Sequence, residues 1–330
     1  MRLVTPFLLA LVLSACASPR PSAERDAGYT ALLPQIRSTV EASYYAPAEF
    51  TEARWSRFWT DLEEGLGAAT TDREARQSLR EAARTLGVSH FDLVRRDSAS
   101  APSGEASAPV ALDLGADGVA VLRVDAFSVR ETMRPVVEAF HAIAAAAPRA
   151  LIVDLRQNPG GDVSSMLLAG HLIRQPAPAG LFLSRTWWAT HDAVPEPSAW
   201  GALPLLTSPD MEAFFGALET EGALVGLVPP MEPRYDGPVY ILTSGGTASA
   251  SEPLVHLLQA QGRATIVGEQ TAGAMVSSDQ TELPGGWTLQ HPVADYYTAE
   301  GTRLDGAGVV PDVAVPAAEA LATARRLALE

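Results

Sequence analysis

The sequence predicts an α/β core that follows a small helical region, and three observations lead to this fold class. From residue 110 onward, apolar runs with strand character such as "ALIVDL", "VYILT" and "ATIVG" alternate with apolar helical patterns. Residues 29–84 instead place apolar side chains at helical spacing. The chain of 330 residues, 47% of them hydrophobic, can bury one sizeable core and a small second domain.

Composition divides the chain into five segments. We predict a signal peptide at 1–15, a polar linker at 16–27, a helical domain at 28–94, a low-complexity connector at 95–109 and an α/β domain at 110–330. In the helical domain, "TDREARQSLREAARTLG" begins with a Thr/Asp cap and ends at Gly87, which is the pattern of a complete helix.

The elements of the α/β domain follow one another in a regular order. A hairpin is predicted where "VALDL" and "GVAVLRV" flank a Gly-Ala-Asp-Gly turn. Helix "RPVVEAFHAIAAAA", strand "ALIVDL" and helix "SSMLLAGHLI" come next. Strand "VYILT", helix "SEPLVHLLQAQ" and strand "ATIVG" close the series. Residues 185–233, rich in Trp and Pro, interrupt this order and are predicted to be a long loop.

The N-terminus "MRLVTPFLLALVLSACASP" has the pattern of an export signal. Arg2 precedes an apolar stretch that is too short to span a bilayer. "LSAC" resembles a bacterial lipobox, in which Cys16 becomes the lipidated first residue. An ordinary signal peptide cleaved nearby is the alternative. We therefore expect an exported protein, held by a lipid anchor to a membrane of the bacterial cell envelope, on the periplasmic or outer-membrane side.

Charge and residue usage exclude several classes of protein. The net charge of −15, without basic clusters, argues against nucleic-acid binding. All 24 basic residues are arginine, so a Ser/Lys catalytic dyad is excluded. The single cysteine leaves no intramolecular disulfide. We expect neither a metal nor another cofactor.

Two segments, "LIVDLRQNPGGD" and "VYILTSGGTASASE", each place a glycine turn between an apolar strand and a helix. Such turns lie at the carboxyl ends of strands, where α/β proteins bind ligands. In the first segment, Gly160 and Gly161 allow backbone amides to approach a substrate oxygen, as an oxyanion hole requires. The alternative is a tight turn capped by Asp162.

The second turn carries three serines, Ser244, Ser249 and Ser251. Ser249 or Ser251 can be a helix cap rather than a nucleophile. A nucleophilic serine also needs a base, because its hydroxyl alone is a poor nucleophile.

Six histidines could supply that base. His256 follows Ser249 by roughly 10 Å along a helix, which is too far for a hydrogen bond. His141 and His171 have the apolar helical surroundings of packed core residues. His90 differs, because "LGVSHFDLV" places a Ser-His pair between a helix end and an extended segment.

Three blocks of the chain together resemble one family. "LIVDLRQNPGG" is similar to the Asp-Leu-Arg-x-Asn-x-Gly-Gly loop of the C-terminal-processing and tricorn-type serine peptidases. "TASASEPLVHLLQAQGRATIVGEQTAG" resembles their nucleophile helix with its following strand and turn, and "YYTAEGTRLDGAGVVPD" resembles their C-terminal segment. The blocks keep the family's order over most of residues 150–313. The resemblance implies a crotonase-like (ClpP/crotonase type) core and a peptide or protein substrate.

The resemblance assigns the central site residues one by one. Ser249 matches the family's nucleophile, and Ala250 matches the residue whose amide follows it. Gly160 or Gly161 would supply the second oxyanion donor. Where the C-terminal-processing branch has a lysine, this chain has Ala274. The chain is therefore similar to the tricorn and interphotoreceptor retinoid-binding-protein-like branch, and no PDZ-like pocket motif appears in it.

That branch uses an upstream Ser-His pair as orienter and base, which implies Ser89 and His90. The carboxylate would be Asp305 in "RLDGAGVVPD", where the family often has Glu or Gln. His90 would accept the Ser249 proton, so activity is expected to rise through roughly pH 6 to 7.5. The alternative function is a catalytically weak protein that binds a peptide or hydrophobic ligand on the same fold.

Trp187 and Trp188 are predicted to border the substrate cleft, because long loops over a rigid core often bind ligands. A packing arm or an oligomer contact is an equal alternative for this pair.

Overall fold

Two six-stranded sheets form the framework of the protein in a computed structural model that describes residues 28–95 and 108–330. The predicted signal peptide, the linker with Cys16 and residues 96–107 of the predicted connector lie outside the described residues. Within the two described ranges, no helix is both long and apolar enough to cross a membrane.

The described elements follow the chain in this order. The helices are α1 (Leu33–Ser43), α2 (Glu52–Ala68), α3 (Asp72–Leu86), α4 (Met133–Ala146), α5 (Ser165–Gly170), α6 (Arg185–Trp188), α7 (Met211–Thr220), α8 (Ser251–Ala260) and α9 (Ala317–Leu329). The strands are β1 (Asp92–Arg95), β2 (Val110–Asp113), β3 (Val119–Val124), β4 (Ala150–Asp154), β5 (Ala177–Ser184), β6 (Leu205–Leu206), β7 (Ala223–Val228), β8 (Val239–Thr243), β9 (Thr265–Gly268), β10 (Val276–Leu283), β11 (Trp287–Tyr297) and β12 (Val313–Ala314). Short 3-10 helices lie at Tyr29–Leu32, Pro47–Glu49, Pro197–Ala202 and Pro284–Gly286.

The first sheet has the strand order β12-β9-β8-β4-β3-β2, and only the β2–β3 pair is antiparallel. Every residue of β4 is buried, as expected for a strand covered on both faces. Because β4 and β8 are parallel neighbours, their carboxyl ends lie at the same edge. The two glycine turns therefore lie side by side. The predicted mixed α/β fold is confirmed, and its crotonase-like character stays a prediction.

The second sheet has the order β1-β11-β5-β7-β6, with β10 paired to β11. The N-terminal helices cover this sheet and share one hydrophobic core with Val276, Leu283, Trp287 and Leu289 of the β10–β11 hairpin. The predicted helical domain at 28–94 therefore has no core separate from the rest, because its apolar faces are buried against the hairpin. Strand β1 extends the same sheet, so the residues before β1 are held against β11.

Helix α3 directs the chain toward the candidate site. Thr71 and Glu74 form a capping box at its start, and Gly87 ends it in the left-handed conformation with φ of 68°. The turn after Gly87 places Ser89 and His90 immediately ahead of β1.

The segment 185–233 is not the long loop that its Trp and Pro content predicted. It contains α6, a 3-10 helix, β6, α7 and β7. Asp210 caps α7 by accepting hydrogen bonds from the amides of Glu212 and Ala213. Helix α5 is also shorter than predicted, since it ends at Gly170.

Candidate active site

Ser249 lies between β8 and α8 in a left-handed backbone conformation, with φ of 52°. Its amide donates to the carbonyl of Ala274 at 3.1 Å and to Oε2 of Glu252 at 3.1 Å. A non-glycine residue in this conformation costs about 1–3 kcal/mol and persists only where its surroundings fix it. The two hydrogen bonds fix the backbone, and they leave the Ser249 hydroxyl free to face His90.

The other two serines of this turn have structural contacts. Ser244 donates from Oγ to the carbonyl of Arg156 at 2.6 Å and accepts from the amide of Gly246. Ser251 is fully buried, with Oγ 3.4 Å from the carbonyl of Asn158. Among the three serines, only the Ser249 hydroxyl faces a histidine.

His90 lies beside Ser249 although 159 residues separate them in the chain. Its Nε2 is 3.2 Å from Oγ of Ser249. His90 also has a positive φ, of 65°. Among the described non-glycine residues, only Ser249 and Ala147 share this feature. Two strained residues thus meet at one place, which is typical of functional sites.

Ser89 and Asp305 continue the chain of contacts behind His90. Oγ of Ser89 lies 2.7 Å from Nδ1 of His90 and donates to Oδ1 of Asp305 at 2.6 Å. Asp305 also accepts from the amides of Ser89 and Met275. The carboxylate therefore contacts the serine, and it acts on the imidazole through that serine.

This arrangement defines the tautomer of His90. The Ser89 hydroxyl has one proton and donates it to Asp305, so its oxygen accepts a hydrogen bond from Nδ1–H. Nε2 then carries the free electron pair that faces the Ser249 hydroxyl. The imidazole is oriented as an acceptor toward Ser249.

The amide of Gly161, rather than that of Gly160, is available as an oxyanion donor. The Gly160 amide donates to Oδ1 of Asn158 at 2.8 Å, which corrects the prediction that included Gly160 as a donor. The amides of Gly161 and Ala250 have no partner among the described residues. Gly160 is needed for space instead, because an added Cβ would lie 2.5 Å from Cβ of Ser249.

Two buried residues that the sequence analysis gave no role hold these loops together. Asn158 bonds the Gly160 amide and the Val124 carbonyl through its side chain, and its carbonyl accepts from Ala248. Glu252 accepts from the amides of Gly273, Ala274 and Ser249 and from the hydroxyl of Thr271. Burial raises the pKa of Glu252, and these four donors oppose the rise. Asn158 lies in the first glycine-turn motif and Glu252 in the second. Their places in these motifs were the only sequence feature that pointed to a role.

A cavity of about 120 Å³ opens beside Ser249. Gly161, Ser249 and Ala250 lie on its wall. Most of the other lining side chains are apolar; they include Met166, Phe182, Phe214, Leu254, Leu257 and Met275.

Burial lowers the pKa of His90 below its ordinary value, and the nearby charge of Asp305 opposes this shift. The imidazole therefore stays neutral to lower pH than an exposed histidine does. Elsewhere in the described residues, His256 faces Glu300 at 3.6 Å, and His171 is fully buried as predicted. His141 is exposed on α4, in contrast to the prediction that it is packed.

Neither Trp187 nor Trp188 lines the cavity beside Ser249, so their predicted place at the substrate cleft has no support there. Trp187 is buried against Leu181, Trp200 and neighbouring residues on the opposite face of β5 and β7. The segment 185–233 does reach the cavity elsewhere, through Leu206 of β6, Met211, Phe214 and Phe215 of α7, and Gly226 and Val228 of β7. Among the described residues, no group of three or more His, Cys, Asp and Glu side chains could hold a metal ion.

A hydroxyl beside an acceptor imidazole and two free backbone amides, on a mixed α/β fold, is the arrangement of a serine hydrolase. Residues 118–315 match the family model of peptidase family S41, which is more than half of the chain. The chain therefore belongs to peptidase family S41, a family of serine-type peptidases, and the predicted resemblance is confirmed.

Individual proteins agree with this assignment. The chain is 29% identical over 165 residues to the carboxyl-terminal-processing protease of Picosynechococcus sp., covering 50% of this chain and 31% of that protein. It spans less than half the length of the curated relatives it matches.

Two solved structures have the same fold. A candidate peptidase from Parabacteroides merdae has a TM-score of 0.61 at 15% identity, over 92% of this chain and 96% of that chain. A lipoprotein from Streptococcus agalactiae has a TM-score of 0.58 at 16% identity, over 91% and 96%.

Proposed function

We propose that this protein is a lipid-anchored serine endopeptidase of the bacterial cell envelope, which hydrolyses peptide bonds through an acyl-enzyme. One observation carries the proposal. Nε2 of His90 lies 3.2 Å from Oγ of Ser249, while its Nδ1 is held by Ser89 and, through it, by Asp305. This is the order of contacts that a nucleophile, a base and its orienting groups require.

Acylation follows from these positions. Nε2 of His90 takes the Ser249 proton as Oγ attacks the peptide carbonyl carbon, and the carbonyl oxygen becomes an oxyanion. The amides of Gly161 and Ala250 donate to that oxygen, and the positive end of the α8 dipole favours the same charge. Collapse breaks the C–N bond, and Nε2–H of His90 protonates the departing amine.

Deacylation uses the same groups in reverse. A water molecule gives its proton to Nε2 of His90 while its oxygen attacks the acyl carbon. The second tetrahedral intermediate then expels Oγ of Ser249, which takes the proton back, and releases the acid. Oγ of Ser89 accepts from Nδ1–H of His90 throughout. The His90 imidazolium that forms in each step therefore keeps its orientation.

Histidine chemistry also agrees with the composition, because the chain contains no lysine. The amide of Ala274, where the C-terminal-processing branch has its lysine, is bonded to Glu252 at 2.9 Å. The position therefore helps to hold the Ser249 loop and has no side-chain base to offer.

The proposed location rests on the "LSAC" pattern at Cys16 and on the preceding apolar stretch. The Streptococcus agalactiae structure of the same fold, itself a lipoprotein, supports it. Replacing Cys16 with Ser is expected to release the protein from membranes or block its processing. Membrane fractionation that matches the wild type would contradict the anchor.

A fluorophosphonate probe tests the chemistry. It is expected to label Ser249, and Ser249→Ala and His90→Ala should both abolish labelling and peptide hydrolysis. Ser78→Ala on α3 and His141→Ala on α4 are matched controls that should label normally. Labelling that persists in Ser249→Ala would identify a different nucleophile and overturn the proposal.

The apolar cavity favours one second candidate, a catalytically weak protein that binds a hydrophobic ligand or peptide. It predicts saturable binding without turnover. Wild-type protein that binds peptides but neither hydrolyses them nor reacts with the probe would select this alternative.

A further inference from the structure

The cavity beside Ser249 begins at the atoms proposed to react. Gly161, Ser249 and Ala250 lie on its wall, and the first and last of these carry the two free amides. A substrate carbonyl held by both amides has its own residue's side chain at the entrance. The cavity is thus placed to receive the P1 side chain, which belongs to the residue whose carbonyl Ser249 attacks.

The lining selects an uncharged side chain. Asp162 is the one charged residue among the described lining residues. Its oxygens accept from the amides of Val129 at 2.7 Å and Ser164 at 2.9 Å, so the carboxylate is already hydrogen-bonded on both sides. An acidic P1 side chain would meet no cation here, and a charged group placed among Met, Phe and Leu side chains loses its hydration.

The volume selects a large side chain. An apolar cavity of about 150 Å³ in another protein holds a benzene ring. The cavity beside Ser249, at about 120 Å³, has comparable room for the side chain of Leu, Met or Phe. An Ala side chain would leave most of it empty, and unfilled apolar space forfeits contacts.

Gly226 of β7 leaves this volume open. It lies on the same face of β7 as Leu224 and Val228, which belong to the main hydrophobic core. An added Cβ at Gly226 would lie 3.7 Å from Cβ of Ala179 and 3.9 Å from Cε2 of Phe182, which are ordinary contacts. Both neighbours line the cavity, so a larger side chain at position 226 would occupy the space available to P1.

We propose that Gly226 determines specificity by keeping the cavity open for a large apolar P1 side chain, so that the enzyme cleaves after Phe, Leu or Met in preference to Ala or charged residues. The inference rests on the proposed peptidase function and adds its substrate class. Helix α7 closes the cavity from one side through Phe214 and Phe215.

A matched peptide series tests the inference, with sequences that differ only at P1 as Phe, Leu, Ala, Glu or Arg. Wild type is expected to favour Phe or Leu over Ala by about 10-fold or more in kcat/KM. Gly226→Val should lower that ratio by about 10-fold or more, and Val is well suited to a strand. Gly216→Val on α7 is the control, because a Cβ at that exposed position meets nothing within 4 Å.

The outcomes separate the two proposals. Equal hydrolysis of the Phe and Ala peptides, or an unchanged ratio in Gly226→Val, would overturn the inference while peptide hydrolysis itself stands. Failure of wild type both to hydrolyse any peptide and to react with a small fluorophosphonate would overturn the proposed function and this inference together. If Gly226→Val fails to fold by circular dichroism, Gly226→Ala is expected to lower the ratio in the same direction, and an unchanged ratio in it overturns the inference.

Discussion

The two glycine turns have the same architecture and present different chemistry. Each follows a buried parallel strand, β4 or β8, and the two strands are neighbours. The turn after β4 offers a backbone amide, at Gly161, whereas the turn after β8 offers both a backbone amide, at Ala250, and a side chain, at Ser249. In each turn one amide is already bonded, that of Gly160 to Asn158 and that of Ser249 to Glu252, and the next amide along the chain is left free. Of two neighbouring turns of one shape, one therefore presents backbone alone and the other presents backbone together with a reactive side chain.

The largest expected effect comes from removing the reactive side chains of the site, Ser249 and His90. Ser249→Ala and His90→Ala should each lower kcat by about 10⁴-fold or more, because the hydroxyl or its proton acceptor is lost. The double variant should be no worse than either single variant, since the two residues act as one unit. Steady-state kinetics on one peptide measures all three. An additive loss in the double variant would show that His90 and Ser249 act independently.

Displacing the backbone amide of Gly161 should lower kcat by a smaller factor. Gly161→Ala places a Cβ against the carbonyl of Phe127 at a φ of 136°, so the amide must shift. Loss of one oxyanion donor costs about 10²–10³-fold in kcat. Gly245→Ala in the turn after β8 is the control, because its Cβ would meet nothing within 4 Å. Equal kcat in the two variants, with Tm unchanged, would remove Gly161 from the oxyanion hole.

Asp305→Asn tests how far the orienting contacts reach. The carboxylate contacts Ser89 and not His90, so we expect a smaller loss, of about 10–100-fold in kcat, than the 10⁴-fold known for a carboxylate that touches the imidazole. Its charge raises the pKa of His90, so its removal should move the acidic limb of the activity profile to lower pH. A limb that does not move would mean that Asp305 has no electrostatic effect on the base.

The smallest expected effect is a shift in the pH at which wild-type activity rises. The sequence-based expectation was a rise through roughly pH 6 to 7.5, which assumed an ordinary histidine. Burial lowers the pKa of His90, and catalysis needs its neutral form, so the rise should lie below the ordinary pKa of 6.5. A kcat/KM profile measured with His90 intact checks this. A midpoint above 6.5 would contradict the effect of burial.

The same contrast explains what the sequence could predict. The contact between His90 and Ser249 agrees with the predicted pairing, which was accessible because each residue lies in a short local motif. The choice between Gly160 and Gly161 was not accessible, because it depends on a hydrogen bond from Asn158 that two adjacent glycines do not reveal. Segment 185–233 was also misjudged: β6, with two residues, and α6, with four, are too short for a periodic pattern, although α7, with ten, is not.

The distance along the chain between His90 and Ser249 has a consequence for when the enzyme becomes active. Their contact spans 159 residues, and that between Ser89 and Asp305 spans 216. His90 is positioned by β1 and the core of the N-terminal helices, whereas Ser249 is positioned by the first sheet. Both regions must therefore be folded before the His90 imidazole and the Ser249 hydroxyl meet as they do in this structure. On the proposed function, the chain can therefore hydrolyse peptide bonds only after the first sheet and the core of the N-terminal helices have both folded.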